Sequence, residues 1–216
     1  MKDYSLILFD LDGTLTESHP GIVNSVVYAL KHYGLPVPEY SGLLKFVGPP
    51  LAKSFTEFAG MSEEQAKEAV FVYREYFSTK GLFENAPYEG IAEVLGRLKA
   101  AGKKLAVATS KPDVFSEKIL RHFGLMDYFD FLAGAAMDEK SRLTKTEVIE
   151  YALENCGVTG RSRVLMVGDR SHDILGAKAA GLDSAGVLYG YGSREELEEA
   201  GADYIFETVA DLLKLI

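Results

Sequence analysis

The stretch Tyr4-Ser5-Leu6-Ile7-Leu8-Phe9-Asp10-Leu11-Asp12-Gly13-Thr14 decides how the rest of the chain is read. Its first half is a short apolar run of β-prone residues, and the run stops at a cluster of turn formers. That pattern predicts a buried strand ending in a loop that carries two carboxylates. In an extended segment residues i and i+2 point the same way, so Asp10 and Asp12 can face one reactant together. Two carboxylates in that position suit metal binding, nucleophilic attack and proton transfer. Taken alone, Asp-Leu-Asp-Gly is equally well a plain turn, because Asp and Gly are turn residues.

Outward from this stretch the same kind of run recurs. Lys104–Ala108, Phe129–Leu132, Arg163–Val167 and Ser184–Leu188 are short and β-prone. Helical patterns lie between them. Ile91, Val94, Leu95 and Leu98 fall at i, i+3, i+4, i+7 and are closed by Ala101-Gly102. Further helices are expected over 112–122, 146–155 and 171–180. Strands alternating with helices predict βαβ units and an α/β fold with a parallel sheet. Residues 17–87 break the rhythm, with amphipathic helices through Ile22, Val26, Leu30 and Tyr33 and over 63–77, and no convincing strand. A crossover needs far fewer residues. The segment is therefore read as a small helical domain inserted into a core of residues 1–16 and 88–216, with Gly13-Thr14 and Gly81–Pro87 as flexible junctions. The length of 216 residues suits such a pair, at roughly 150 residues per domain.

Composition limits the chemistry. Cys156 is the only cysteine, which excludes a disulfide framework and a Cys-rich zinc site. No apolar run approaches the roughly 18 residues of a membrane span, and no signal segment is visible, so a cytoplasmic address is expected. The net charge of −9, from 23 Lys and Arg against 32 Asp and Glu, argues against a nucleic-acid polymer as partner. A small anion remains open if a metal or a local lysine cancels charge at the site.

Three further features fall at predicted strand ends. Thr109-Ser110-Lys111 offers hydroxyls for phosphate oxygens, or a helix N-cap ahead of Pro112. Gly168-Asp169-Arg170-Ser171-His172-Asp173 places Asp169 and Asp173 where both can approach one cation, or where both merely favour a helix N-terminus. Lys145 begins a helical pattern, where a solvated lysine is the ordinary outcome. Each feature alone has its ordinary explanation. Together they place carboxylates, hydroxyls and a lysine along one sheet edge, where open parallel sheets bind ligands. That set suits Mg²⁺ with a phosphate, since Mg²⁺ takes few carboxylates, several waters and phosphate oxygens.

With these motifs in order, Asp10-Leu11-Asp12-Gly13-Thr14-Leu15, Thr109, Lys145 and Gly168-Asp169 with Asp173, the chain resembles the haloacid dehalogenase superfamily of phosphohydrolases. It is similar to the phosphoglycolate phosphatase-like branch, with a helical cap after the first strand of a Rossmann-like core. The resemblance implies a Mg²⁺-dependent phosphatase acting on a small phosphomonoester metabolite. It implies Asp10 as the nucleophile that takes the phosphoryl group, and Asp12 as the residue that protonates the leaving oxygen and then activates water. It implies metal ligation by Asp10, the carbonyl of Asp12 and Asp169, with Asp173 acting through water or by orienting its neighbours. Thr109 and Lys145, with Ser110 beside them, would hold the phosphoryl oxygens. Ser110 stands where the family often has Asn, and Lys111 and Lys140 compete with Lys145 for the lysine role. Asp12 is expected to carry a raised pKa from a nearby like charge and closure of the insert, against about 3.9 for a free Asp. The cap would supply specificity, with Phe46-Val47-Gly48-Pro49-Pro50 and Arg74 as candidate contacts. Tyr189-Gly190-Tyr191-Gly192 is read either as a crevice wall or as a turn, and His172 as a bystander. A phosphomutase, or less readily a phospho-accepting receiver module, is the alternative function.

Overall fold

A computed structural model describes residues 1–137 and 141–216, so Lys140 lies outside the described residues. The chain divides into two compact units, Met1–Thr16 with Pro87–Ile216, and Glu17–Ala86.

In chain order the elements are β1 (Leu6–Phe9), β2 (Thr16–Glu17), α1 (His19–His32), α2 (Tyr40–Leu43), α3 (Leu51–Ala59), α4 (Glu63–Tyr76), β3 (Ala86–Pro87), α5 (Ile91–Ala100), β4 (Lys104–Pro112), α6 (Asp113–His122), β5 (Phe131–Ala135), α7 (Lys145–Asn155), β6 (Val164–Gly168), α8 (Ser171–Ala179), β7 (Asp183–Val187), α9 (Arg194–Ala200) and β8 (Tyr204–Phe206). Six strands form one parallel sheet in the order β5-β4-β1-β6-β7-β8. β1 is central, with Phe9 level with Val107 on one side and Val167 on the other. All four residues of β1 are buried, as a strand covered on both faces requires. Leu6 and Leu8 pack on one face with Val148, Ile149 and Ala152 of α7 and Ala177 of α8. Phe9 belongs to the other face by alternation and meets Phe129 edge-on, with ring centroids 6.3 Å apart. Truncating Leu8 to Ala would cost about 2–5 kcal/mol, the usual penalty for a cavity in a packed core.

The strand ends differ from the sequence expectation in informative ways. β5 begins at Phe131, two residues later than expected, because the Phe129 N–H closes the preceding turn on the Met126 carbonyl. β4 runs through Thr109-Ser110-Lys111 to Pro112, with its register shifted between Ala108 and Pro112. Thr109 is therefore not a helix cap, and Pro112 itself is the N-cap of α6, at φ −53°. The irregular stretch fits because Gly134 of β5 lies beside it. A Cβ on Gly134 would sit 2.7 Å from the Lys111 carbonyl oxygen.

The unit Glu17–Ala86 is helical. α1 buries Ile22, Val26, Ala29 and Leu30, and α4 buries Ala66, Ala69, Val70 and Tyr73. Ser62 opens α4 with a reciprocal capping box to Gln65. Phe46 packs edge-on against Phe55 and Phe58 at 5.4 and 5.5 Å. Phe46 thus packs within this unit's own core, Val47 is buried and Pro50 is exposed. Among the described residues no helix is long and apolar enough to cross a membrane.

Candidate active site

The backbone after β1 stays in register with β6 for one more residue, Asp10 N–H donating to the Val167 carbonyl at 2.9 Å. It then turns sharply, with the Leu15 and Thr16 N–H groups both donating to the Leu11 carbonyl at 2.9 and 3.0 Å. Gly13 takes φ +81°, a conformation that favours glycine, and a Cβ there would overlap the Asp169 carboxylate. Thr14 is fully buried, its hydroxyl donating to Asp169 Oδ1 at 3.3 Å. Gly13-Thr14 is therefore not a flexible junction as expected. It is built into the floor of the site, and the chain passes between the two units at Thr16 and Glu17 instead.

Lys145 is the centre of charge. It is the first residue of α7, whose N-cap Thr144 forms a capping box with Glu147. Its Nζ donates to Asp10 Oδ1 at 2.8 Å and to the Ala108 carbonyl at 2.9 Å, and pairs with Asp173 Oδ1 at 2.7 Å. The first two are hydrogen bonds, whereas the contact with Asp173 is an ion pair without hydrogen-bond geometry, and among the described residues Asp173 Oδ1 has no hydrogen-bond donor. Gly176 of α8 gives the lysine stem its space, since a Cβ there would stand 2.7 Å from Lys145 Cγ. The other oxygen of Asp173 accepts the Arg170 N–H at 3.1 Å.

Burial sets the titration of this group. Asp10 is pushed above the ordinary carboxylate range by burial and by the charge of Asp173, with Lys145 opposing. Asp169 is pushed well above it by burial, Asp173 and Asp10. For Asp173 burial also acts upward, but Lys145 and His172 outweigh it and hold the carboxyl low. Burial acts against the charge of Lys145, and Asp10 and Asp173 more than offset it, so the ammonium is held more firmly than in water.

The carboxylate of Asp12 does not share this lysine. Lys111 Nζ reaches both of its oxygens, at 2.7 and 2.5 Å. The expected like charge beside Asp12 is thus replaced by a cation at hydrogen-bond distance. The irregular stretch of β4 explains it. Were β4 to stop at Ala108, Lys111 would belong to the first turn of a helix rather than to the sheet edge. Thr109 is buried, its hydroxyl oxygen accepting the Lys111 N–H at 3.2 Å, and Ser110 is half-buried beside it.

Two features that the sequence left open or set aside lie beside these residues. The Tyr189–Gly192 loop is a wall of the site, with Tyr191 N–H donating to Asp169 Oδ2 at 2.8 Å and Tyr189 hydroxyl to the Thr14 carbonyl at 3.1 Å. Its signal was the pair of glycines, since a Cβ on Gly190 or Gly192 would overlap the side chain or backbone of Asp169. His172 is no remote bystander, because it, Asp10 and Asp173 each offer a ligand atom within 4.8 Å of the others.

Oxygen donors dominate the set, and Asp10 and Asp169 are both driven upward by burial and by the charge of Asp173. That is the environment a hard divalent cation relieves, so these residues fit Mg²⁺.

The comparisons with known proteins place the chain in a family of hydrolases. The family model of haloacid dehalogenase-like hydrolases matches residues 7–187. A 5'-nucleotidase of Pseudomonas aeruginosa is 45% identical over 194 residues, which cover 90% of this chain and 87% of that protein. The tyrosine-protein kinase PtkA of Mycobacterium tuberculosis is 42% identical over 200 residues, covering 93% of this chain and 67% of the kinase. A crystal structure of a predicted phosphatase from Clostridium acetobutylicum superposes with a TM-score of 0.94 at 49% identity, covering 99% of this chain and 98% of that one.

Proposed function

The chain belongs to the haloacid dehalogenase-like hydrolase family as a phosphatase, and we propose that it hydrolyses a small phosphomonoester through a phosphoryl group carried on Asp10. The observation that carries this reading is the Asp10–Lys145 pair, a carboxylate and a buried ammonium 2.8 Å apart at the end of the central strand. A carboxylate so held is fixed for attack, and the lysine charge offsets its repulsion of an incoming dianion.

In the first half-reaction an Asp10 oxygen bonds to phosphorus. The ester P–O bond breaks, and the leaving oxygen keeps the electron pair and takes a proton from Asp12. In the second, Asp12 takes a proton from water as the water oxygen bonds to phosphorus. The Asp10–phosphorus bond then breaks with its pair returning to the carboxylate. The sum is monoester plus water giving alcohol plus phosphate. Thr109, Ser110 and Lys145 hold the phosphoryl oxygens. Asp10, Asp169 and the Asp12 carbonyl hold Mg²⁺, with Asp173 orienting Lys145. When bound, Mg²⁺ supplies neutralising charge for the phosphoryl oxygens.

The likeness to a 5'-nucleotidase supports a nucleoside monophosphate as one candidate substrate, beside phosphoglycolate and sugar phosphates. A panel of these esters, assayed for free phosphate with and without Mg²⁺ and ranked by kcat/KM, tests the reading. Phosphate released only with Mg²⁺ and only with Asp10 intact is the expected result. Conversion of one monoester to its isomer without free phosphate would identify a phosphomutase instead.

A further inference from the structure

Lys111 is absorbed by none of the roles above, yet it is among the most constrained cations of the sheet edge. Its Nζ spans both oxygens of Asp12, at 2.7 and 2.5 Å, and the two side chains are only 6% and 14% exposed. Little water reaches such a pair, so screening is weak. The lysine backbone is held as firmly. Its N–H donates to Thr109 Oγ1 at 3.2 Å, its carbonyl accepts from Ser116 Oγ at 3.5 Å, and Gly134 lies close beneath it.

The pair joins residues 99 apart in sequence, so its geometry is a property of the folded sheet edge. An aspartate has a broad, roughly two-fold terminal torsion, and nothing in the residue itself decides which oxygen faces the reactant. A proton carrier displaced by about 1 Å can lose about 10²-fold in rate. A lysine ammonium has three hydrogens, so it can keep one oxygen while the other gives or takes a proton.

From this geometry we propose that Lys111 is a positioning residue for proton transfer by Asp12, setting which carboxylate oxygen meets the leaving group. The proposal rests on the reading of Asp12 as the proton carrier. It makes Lys111 distinct from Lys145, which serves the nucleophile and the phosphoryl oxygens.

The test uses two esters of similar shape, p-nitrophenyl phosphate and phenyl phosphate, with the purified enzyme and Mg²⁺. The first has a leaving group stable without a proton, and the second needs one. The quantity read is the ratio of their kcat/KM values, which reports steps up to departure of the leaving group. Asp12→Asn should widen this ratio, since general acid catalysis is worth about 10²–10⁴-fold where it is needed. Lys111→Ala and Lys111→Met should each widen it about tenfold, a part of that range. Lys111→Arg should restore part of the loss. Added to Asp12→Asn, Lys111→Met should widen the ratio no further, as expected when two residues act as one unit.

A parallel fall with both esters in Lys111→Met, at an unchanged ratio, overturns the proposal and makes the lysine an ordinary anion-binding or structural group. So does an additive effect in the double variant. If Asp12→Asn itself leaves the ratio unchanged, the reading of Asp12 fails and this inference falls with it. If Asp12→Asn widens the ratio and neither Lys111→Ala nor Lys111→Met does, the inference alone fails.

Discussion

Lys145 and Lys111 both meet carboxylates at the same edge of the central sheet, but they distribute their charge differently. Lys145 divides three contacts among Asp10, Asp173 and the Ala108 carbonyl. Lys111 places a contact on each oxygen of Asp12. A lysine shared among three acceptors ties together the ends of β1, β4 and α8 and balances a cluster of buried acids. A lysine that spans both oxygens of one carboxylate fixes the attitude of that carboxylate. The lesson is that a residue's neighbours, more than its type, assign its work: Asp10 and Asp12 stand two residues apart and are served by different cations.

Asp10→Asn breaks the comparison most severely. It removes the nucleophile, and hydrolysis of p-nitrophenyl phosphate should fall by about 10⁴-fold or more, measured at saturating substrate with Mg²⁺ present.

Lys145→Ala should come next. It leaves Asp10 and Asp173 buried without their cation, a loss of about 3–5 kcal/mol when one partner of a buried pair is removed. Urea unfolding monitored by circular dichroism reads that loss. An unchanged midpoint would show that the cluster has another source of charge balance.

Asp169→Asn reverses the sign. The folded-state pKa of Asp169 lies above its unfolded value. Such a group stabilises the fold below the usual carboxylate range near 3.8 and loses that contribution as pH rises through its folded pKa. Above the usual carboxylate range, in chelator, Asp169 therefore works against folding. The amide keeps an acceptor for the Tyr191 N–H and a donor for the Thr14 hydroxyl. Its Tm should rise by roughly 3 °C, the shift that about 1 kcal/mol gives at this chain length. The gain should shrink below pH 4, and Mg²⁺ should narrow it by stabilising the wild type.

A surface pair sets the small end of the scale. Lys214 lies 2.7 Å from Asp211 and, with the Thr208 N–H and hydroxyl, lowers that carboxyl to about 2. The sign is opposite to that of Asp169. The contribution is present above the unfolded pKa and is lost as pH falls through the folded one. Asp211→Asn should therefore flatten the acid limb of the stability curve between about pH 4 and 2. After solvent screening the effect stays below about 1 kcal/mol, as thermal melts across that range would show.

Five of the six strands of the parallel sheet were legible because they are short apolar runs with helices between them, whereas the edge strand β8 (Tyr204–Phe206), only three residues long, was not expected. The Asp10 loop, Asp169 and Lys145 were legible because they sit where strands end or helices begin. What escaped was the charge partner of Asp12. Lys111 becomes its partner through a register shift in β4 that depends on Gly134, a glycine in another strand. No local pattern encodes a contact across 99 residues. The Tyr189–Gly192 loop stayed open between crevice wall and turn for a related reason, because glycine marks flexible turns and close approaches alike. β5 was placed two residues early because Phe129 belongs to the preceding turn, its N–H bonded to the Met126 carbonyl.

The account stands or falls on where the phosphoryl group goes. Enzyme with Mg²⁺ is mixed with a preferred monoester, quenched in acid within one turnover, digested and sequenced by mass spectrometry. The account predicts one phosphoryl group on the peptide bearing Asp10, absent from Asp10→Asn and lost on mild alkaline treatment. A turnover that releases phosphate with no phosphorylated peptide, or with the group on Asp12 or Asp169, would contradict it.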